Sequence, residues 1–320
     1  MAIAALLACG SITVCAQDKP ANYPLRPVRI IVGIAPGGGL DSTTRLVAQM
    51  VSDKWGQTVV VDNRPGAGTV IAAELAAQAP PDGYTLLMAT NTLALLGAQK
   101  RVSFDVRKTF VPVAWAVTQP YVMVANPSLP VKSPKELIAH SKAKPKTVTY
   151  GSSGVGTTLH LGMEKLAALT GASFEHVPYK GTAPALLAVI AGEIQILAGS
   201  SIATLPHVKT GKLRGLGVMG PKRIAAAPDL PTFAEALGLA GFEVTNSYGL
   251  FAPAGTPAPI VEGLNRIVLA GMRSPEVLRK VQSDGAEPAE AGTPAELKVK
   301  FARDFAEAEK QIKQLKVKFY

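Results

Sequence analysis

Short apolar runs that alternate with amphipathic stretches constrain the fold of this 320-residue chain more than any other feature. Three such runs, Val28–Ala35, Val59–Val61 and Tyr84–Ala89, predict strands that are buried on both faces, as in a parallel sheet. The segments between them predict helices over about Leu40–Trp55 and Gly68–Ala79. Strand and helix therefore alternate as βαβαβ, a pattern typical of a doubly wound sheet.

A second cycle of the same kind begins near Tyr121. The strand Tyr121–Ala125 is followed by a helix for which Ser133 is the predicted N-cap, with a proline at the first helical position. Further elements are then predicted in this order: strand Thr147–Tyr150, helix Gly156–Thr170, strand Phe174–Val177, helix Thr182–Ala191, strand Ile194–Leu197 and strand Leu213–Met219. A last strand, Val244–Phe251, leads back to the first unit, and three helices follow it.

This order of elements predicts two sheet domains, the second inserted into the first. We expect domain I to comprise residues 23–119 and 247–320, and domain II to comprise residues 120–246. The chain would cross between the domains near Thr118–Tyr121 and near Thr245–Tyr248, so that two strands form a hinge. Hinged domains enclose a cleft, and clefts of this kind bind ligands.

The first sixteen residues carry no charge and consist mainly of small and aliphatic side chains. Val14 and Ala16 place small residues at the two positions that signal peptidase recognises, which predicts a signal peptide over residues 1–16 and a periplasmic protein. A lipoprotein signal with Cys9 as the lipidated residue is the alternative. Cys9 and Cys15 are the two cysteines of the chain, so the mature protein would have no disulfide and no thiolate site.

The net charge of +10 therefore belongs to the mature chain. Its Lys and Arg residues are scattered, apart from a basic tail that contains Lys313, Lys316 and Lys318. A basic surface attracts anionic solutes or an acidic partner. Because no basic run is interleaved with aromatic residues, we expect no nucleic-acid partner.

Two glycine-rich loops, one in each predicted domain, lie between a strand and the helix that follows it. They are Pro36–Gly39 and Tyr150–Thr158. Backbone N–H groups at a helix N-terminus favour an anion, and the hydroxyls of the second loop can donate to a carboxylate. The first loop alone is equally compatible with a tight turn that binds nothing. Two such loops at the carboxyl ends of strands, however, match the position of ligands in open α/β folds.

Motifs for catalysis fail on spacing. Neither loop matches a P-loop, a dinucleotide-binding fingerprint or a nucleophile elbow, and the four histidines show no metal-ligand spacing. A hydrolase-like hypothesis has candidates in Ser152 and His160, but no spacing connects them. Asp41 has two interpretations: a first-turn carboxylate with Arg45 four residues later, or an acceptor for a ligand hydroxyl or amine. The sequence therefore argues against an enzyme and against a metal site.

Seven runs of residues, in order, resemble one known family. They include YPLRPVRIIVGIAPGGGLDSTTR (Tyr23–Arg45), YGSSGVGTTLHLGMEKL (Tyr150–Leu166) and VPYKGTAPALLAVIAGEIQI (Val177–Ile196). The chain resembles the Bug receptors, the extracytoplasmic solute-binding subunits of tripartite tricarboxylate transporters. The resemblance implies an α/β Venus-flytrap fold of the periplasmic-binding-protein type, a small carboxylate ligand and no cofactor. It also implies a membrane partner, either transporter subunits or a sensor kinase, and nothing in the sequence demands more than a monomer.

Carried over by position, the resemblance places ligand contacts in several loops. The candidate residues are Ala35, Gly37, Gly38, Gly39, Asp41, Thr90, Asn91, Ser152, Ser153, Gly154, Gly156, Thr157, Lys180, Thr182 and Ser200. Two positions depart from the family: Ile34 stands where an aromatic residue is usual, and Gly199 stands where an aspartate is frequent. Because that aspartate is missing, we expect a carboxylate ligand that lacks an amino group.

Overall fold

The computed structural model describes residues 22–315. The predicted signal peptide, the alternative lipidation site Cys9, and Lys316 and Lys318 of the tail lie outside the described residues. The strands, in chain order, are β1 (Val28–Val32), β2 (Val59–Asn63), β3 (Thr85–Thr90), β4 (Phe110–Ala125), β5 (Val148–Ser152), β6 (Phe174–Pro178), β7 (Ile196–Ser200), β8 (Arg214–Val218), β9 (Thr245–Pro253) and β10 (Glu287–Pro288). The helices are α1 (Gly39–Trp55), α2 (Val70–Ala77), α3 (Thr92–Ala98), α4 (Val106–Thr109), α5 (Pro134–Ala143), α6 (Thr158–Thr170), α7 (Thr182–Ala191), α8 (Ser201–Lys209), α9 (Phe233–Leu237), α10 (Ala258–Met272), α11 (Pro275–Ser283) and α12 (Pro294–Leu315).

The first sheet has the strand order β2-β1-β3-β9-β4. β1 pairs in parallel with β2 and with β3, as the βαβαβ pattern predicts, whereas β9 and β4 are antiparallel to their neighbours. Helices α1 and α10 pack on one face, and α2, α3 and α12 pack on the other. Val28 and Ile30–Val32 are completely buried because both faces of β1 are covered.

The second sheet repeats this plan. β5 lies between β6 and β7, parallel to both, and β4 runs antiparallel to β7 and β8. Its apolar core is built from buried residues between Tyr121 and Val244. The buried residues in the cores of the first sheet all lie before Gln119 or after Ser247, and the partly buried Ile202 of α8 also packs against them. Two mixed sheets with separate cores therefore form the Venus-flytrap architecture that the sequence predicts.

β4 belongs to both sheets, and its length is the main difference from the sequence prediction. Residues 110–120 pair with β9, residues 121–125 pair with β7, and residues 122–125 also pair with β8. The strand therefore begins eleven residues before the predicted start at Tyr121. Pro112 and Pro120, which lack an N–H donor, interrupt the strand pattern in the sequence. In the structure, two register shifts follow Pro112, between residues 112 and 117, whereas Pro120 pairs with Thr245 without a shift.

Local sequence signals explain several of the other boundaries. The predicted N-cap of α5 is confirmed, since the Ser133 hydroxyl accepts a hydrogen bond from the N–H of Glu136 (3.2 Å). The helix predicted from Gly68 instead begins with a 3-10 turn at Ala67–Thr69, and α2 starts at Val70. Within residues 22–315, no helix combines the length and the apolar character that crossing a bilayer requires.

Candidate functional site

Loop 1 (residues 33–38) joins β1 to α1, and Asp41 in the first turn of α1 holds its shape. The buried Asp41 carboxylate accepts hydrogen bonds from Gly37 N–H (3.0 Å), Asn63 Nδ2 (2.9 Å), and Nε and Nη2 of Arg45 (both 3.0 Å). Burial acts to raise the pKa of Asp41, but the hydrogen bonds from Arg45, Gly37 and Asn63 outweigh it and hold the pKa below its ordinary value. Four donors from the same side of the cleft thus occupy this carboxylate.

Ser152, the last residue of β5, fastens the start of loop 2 (residues 153–157) to the second sheet. Its buried hydroxyl accepts from the N–H of Gly154 (3.0 Å) and hydrogen-bonds with Nε2 of His176 (2.6 Å). At the other end of the loop, the Thr157 hydroxyl donates to the carbonyl of Gly154 (2.8 Å). The histidine that meets Ser152 is therefore His176, not the His160 of the hydrolase-like hypothesis.

Three stacked rings support loop 2 from below. The ring of His176 lies 4.8 Å from that of Tyr150 and 4.2 Å from that of His160, measured between centroids. Nδ1 of His160 accepts a hydrogen bond from the N–H of Gly156 (3.0 Å), which requires that nitrogen to be unprotonated. Burial, together with the nearby charges of His176 and Arg101, lowers the pKa of His160 to about 4. Burial also lowers the pKa of His176 to about 4.

The loops of the two sheets touch across the cleft. Ala35 N–H in loop 1 donates to the carbonyl oxygen of Lys180 (2.8 Å), so these two candidates meet through their backbones. Thr182 begins α7 beside them: a Cβ built on Gly38 would lie 3.8 Å from its Cβ. Ile34, the residue that replaces the usual aromatic side chain, is buried at this contact. Loop 1 thus faces the N-terminus of α7.

Two buried hydroxyls face the N-terminus of α1. A Cβ built on Gly39 would lie 2.6 Å from Ser200 Oγ and 2.9 Å from the Tyr248 hydroxyl oxygen. Ser200 Oγ has no well-formed hydrogen bond within residues 22–315. Burial raises the pKa of Tyr248 to about 12, and the adjacent Ser200 and Gln119 side chains oppose that rise, although neither is well aligned as its partner. This cluster places the hydroxyls of Ser200 and Tyr248 where the helix dipole favours an anion.

The remaining candidates lie around the same cleft. Thr90 Oγ1 accepts from the N–H of Thr92 (3.1 Å), and Asn91 Oδ1 accepts from the N–H of Ser247 on β9 (2.7 Å). Ser153 is half-buried in loop 2. The structure therefore brings together candidates from both predicted domains, while their contact with a ligand stays a prediction. Among residues 22–315, no three His, Cys, Asp or Glu side chains are grouped as metal ligands.

Two residues of this interface were not among the sequence candidates. Tyr248 lies on a strand that the sequence assigns to the hinge. A single buried tyrosine there belongs to no motif that would predict a ligand contact. Arg101 donates through its Nη2 to the carbonyl of Ala67 (2.9 Å) and through its Nη1 to the carbonyl of Val155 in loop 2. It follows α3, a helix that the sequence analysis did not predict, so no motif marked it.

Two mixed sheets that share a hinge strand, with glycine-rich loops facing each other across a cleft, define a solute-binding receptor of the periplasmic-binding-protein class. A family model described as "Tripartite tricarboxylate transporter family receptor" matches residues 43–316. The chain belongs to this family, and the resemblance to the Bug receptors is confirmed.

Individual relatives agree with this assignment. The chain is 35% identical to Protein BugT of Bordetella pertussis over 270 residues, which is 83% of this chain and 82% of that protein. It is similar to a solved structure of R. palustris Rpa4515 with adipate (34% identity, TM-score 0.87, 92% of this chain and 98% of that one). It is also similar to MatC of Rhodopseudomonas palustris with bound malate (28% identity, TM-score 0.85, 91% of this chain and 100% of that one).

Proposed function

We propose that this receptor captures a small organic carboxylate between its two domains and delivers it to membrane transporter subunits without chemical turnover. The observation that carries the proposal is the cluster at the N-terminus of α1, where the buried Ser200 hydroxyl lies beside that of Tyr248 and makes no well-formed hydrogen bond within residues 22–315. An anion placed there would accept from that hydroxyl and from backbone N–H groups of loop 1. Adipate and malate, which related receptors hold, belong to the same ligand class.

The proposed cleft lies between domains whose boundaries fall near residues 119 and 246. Separate apolar cores on the two sides and the two crossing strands, β4 and β9, support this division. The receptor would act as a monomer in the periplasm, after removal of residues 1–16 rather than lipidation of Cys9. The periplasmic location follows from the receptor family, and the uncharged leader supports cleavage after Ala16.

The candidate residues divide into two roles. We assign direct ligand contact to buried polar groups where the two sheets meet, above all the Ser200 hydroxyl and the N–H groups of Gly38 and Gly39. Asp41 and Asn91 instead hold the loops, because their side-chain oxygens are occupied by donors of the protein. An anionic ligand gains most where donors are already oriented and not otherwise engaged.

We propose further that the ligand lacks an amino group. An aspartate side chain at position 199 would stand beside Ser200, but a Cβ on Gly199 would collide with the methyl group of Thr204, which is completely buried. β7 thus offers no carboxylate beside Ser200, and the Asp41 carboxylate of α1 is already engaged by donors of the protein. Burying an unpaired ammonium would cost several kcal/mol.

The absence of turnover rests on the receptor family and on the state of Ser152. Its hydroxyl is buried and is engaged by Gly154 and His176. A nucleophilic serine has to reach a substrate carbonyl, whereas this one is part of the support of loop 2.

A thermal-stability experiment with matched ligand pairs tests the proposal. The pairs are succinate and aspartate, glutarate and glutamate, and adipate and 2-aminoadipate, with malate as an additional ligand. A ligand at about 100 times its dissociation constant stabilises the protein by about 2.7 kcal/mol, which raises Tm by a few degrees. We expect at least one unsubstituted diacid or malate to raise Tm and its amino counterpart to have little effect. Equal shifts within every pair would contradict the amine prediction, and no shift with any acid would contradict the receptor proposal.

Ser200→Ala tests the site itself. Because Ser200 Oγ has no well-formed hydrogen bond within residues 22–315, its removal should leave the Tm of the ligand-free protein nearly unchanged. The same change should weaken carboxylate binding by about 10- to 100-fold, as expected for loss of a hydrogen bond to a charged group. Unchanged affinity, measured by calorimetry, would place the ligand elsewhere.

A further inference from the structure

Arg101 connects the two sides of the cleft without an acidic partner among residues 22–315. Its guanidinium donates to the carbonyl of Ala67, on the side of the first sheet, and to that of Val155 in loop 2, on the other side. The side chain is half-buried, and burial lowers its pKa. An arginine withdrawn from water is usually paired with a carboxylate, so two carbonyls from opposite sides are an unusual set of partners for this half-buried side chain.

Neighbouring contacts show how closely loop 2 approaches at this place. Gln99 Nε2 donates to the carbonyl of Gly156 (2.8 Å), and the hydroxyl oxygens of Thr92 and Thr158 are 3.2 Å apart. A Cβ on Gly68, whose φ of +61° also favours glycine, would lie 2.5 Å from the Val155 carbonyl oxygen. Each contact joins the first sheet's side to the second, so all of them are lost if the domains separate.

From this arrangement we infer that Arg101 is a positioning residue that stabilises the closed form of the receptor by holding loop 2 against the first domain. The inference rests on the proposed receptor function only in that closure of the two domains traps the ligand. In the closed form, the guanidinium donates to the Val155 carbonyl. In an open form, the guanidinium would lose the Val155 carbonyl and would have to bind water instead. The hydrogen bond to Val155 therefore stabilises the closed form alone. Ligand affinity falls with the fraction of protein that is closed, so Arg101 would affect affinity without touching the ligand.

Disulfide trapping measures closure without a ligand. Thr92→Cys and Thr158→Cys are introduced into a chain whose Cys9 and Cys15 are replaced by serine, and the cross-linking rate with oxidised glutathione is recorded. The hydroxyl oxygens at these positions are 3.2 Å apart, so the thiols meet when the domains close. We expect Arg101→Met to lower the rate by about tenfold, which corresponds to about 1.4 kcal/mol in the closing equilibrium.

Two matched variants serve as controls. Arg279→Met removes the same charge from an exposed position on α11 and should leave the rate unchanged. Arg101→Lys keeps the charge, but an ammonium group cannot span two carbonyls as a planar guanidinium does. Its cross-linking rate should therefore lie between those of Arg101→Met and Arg279→Met. Tm values of all variants show whether each is folded. A folded Arg101→Met protein that cross-links as fast as the parent would overturn the inference.

Binding measurements separate this role from direct ligand contact. In the absence of the added cysteines, Arg101→Met should raise the dissociation constants of all carboxylates by a common factor of about ten, with faster dissociation. A loss of affinity that differs strongly between acids, at an unchanged cross-linking rate, would show that Arg101 contacts the ligand and would overturn the inference. If the parent protein binds no carboxylate but its cross-linking still depends on Arg101, the receptor proposal fails while the role of Arg101 in domain closure stands.

Discussion

Acidification should destabilise this receptor through His160, the ring that accepts from the N–H of loop 2. The pKa of His160 is lowered from 6.5 to about 4 in the folded protein, and its side chain is 9% exposed. Between these two values, the unfolded chain binds a proton that the folded chain excludes. The contribution of His160 is therefore fully present above pH 6.5 and is lost as the pH falls toward 4. Integrating over this window gives a loss of about 2 kcal/mol between pH 7 and pH 4.5.

The matched variant is His160→Asn. Asparagine does not titrate, and its Oδ1 can accept from the N–H of Gly156 in place of the imidazole nitrogen. Urea unfolding, followed by circular dichroism at pH 7 and pH 4.5, gives the loss of stability for each protein. We expect the variant to lose about 2 kcal/mol less than the parent protein over this interval.

Charged groups around His160 act on its protonation in opposite directions. Arg101 and His176 oppose its protonation, whereas Glu164, whose Oε1 lies 3.8 Å from Nε2, would favour it. If both proteins lost the same stability on acidification, His160 would have an ordinary pKa in the fold, and its hydrogen bond with Gly156 would not control loop 2.

Three further substitutions test the interface and the loops. Gly68→Ala should raise the dissociation constant of a bound carboxylate by about tenfold, because the new Cβ meets the Val155 carbonyl. Gly56→Ala is the control, since Gly56 has a similar φ (+69° against +61°) but open space around it, and it should leave the affinity unchanged. Equal affinities of the two variants, measured by calorimetry, would show that the contact is unimportant. Asp41→Ala should lower the free energy of unfolding by about 2 kcal/mol, since it leaves three donating residues without their acceptor, and a urea titration that shows no change would refute this. Gly199→Asp should destabilise the protein by about 1–3 kcal/mol, and adding Thr204→Ser, which removes the colliding methyl group, should restore part of the loss in Tm; no restoration would mean that the methyl group is not the obstacle.

The sequence predicted elements with strong local signals and missed those whose signals conflict. Ser133 and the proline after it predicted α5, and the cap is present. Helix α3 (Thr92–Ala98) is a run of seven residues without a clear period, and short apolar runs do not distinguish helix from strand. β4 extends over sixteen residues, well beyond the common strand length, because it serves two sheets in succession. Such a role is set by partners far away in the chain and leaves no local pattern.

The candidate site shows the same division. Glycine-rich loops after strands are local features, so their convergence on one cleft follows from strand order. The role of each polar group depends instead on partners far away in the chain. Asn91 accepts a hydrogen bond from the N–H of Ser247, and the Ser152 hydroxyl is hydrogen-bonded with His176. Arg101 donates to two carbonyl groups, which every residue carries, and therefore no residue type marks its partners in the sequence. Sequence reasoning can thus locate the cleft but cannot assign roles within it.

The shared strand β4 also limits how this molecule can be divided or engineered. Its last five residues pair with β7 and the last four of these also pair with β8, while the preceding segment belongs to the other sheet. A fragment that begins after Pro120 would enter its own sheet with a five-residue central strand anchored at one end only. Grafting the second domain of one receptor onto the first of another would have to preserve the twist of β4 through the junction. Chimaeras with exchange points elsewhere, in the loops that follow β8, would keep this strand whole.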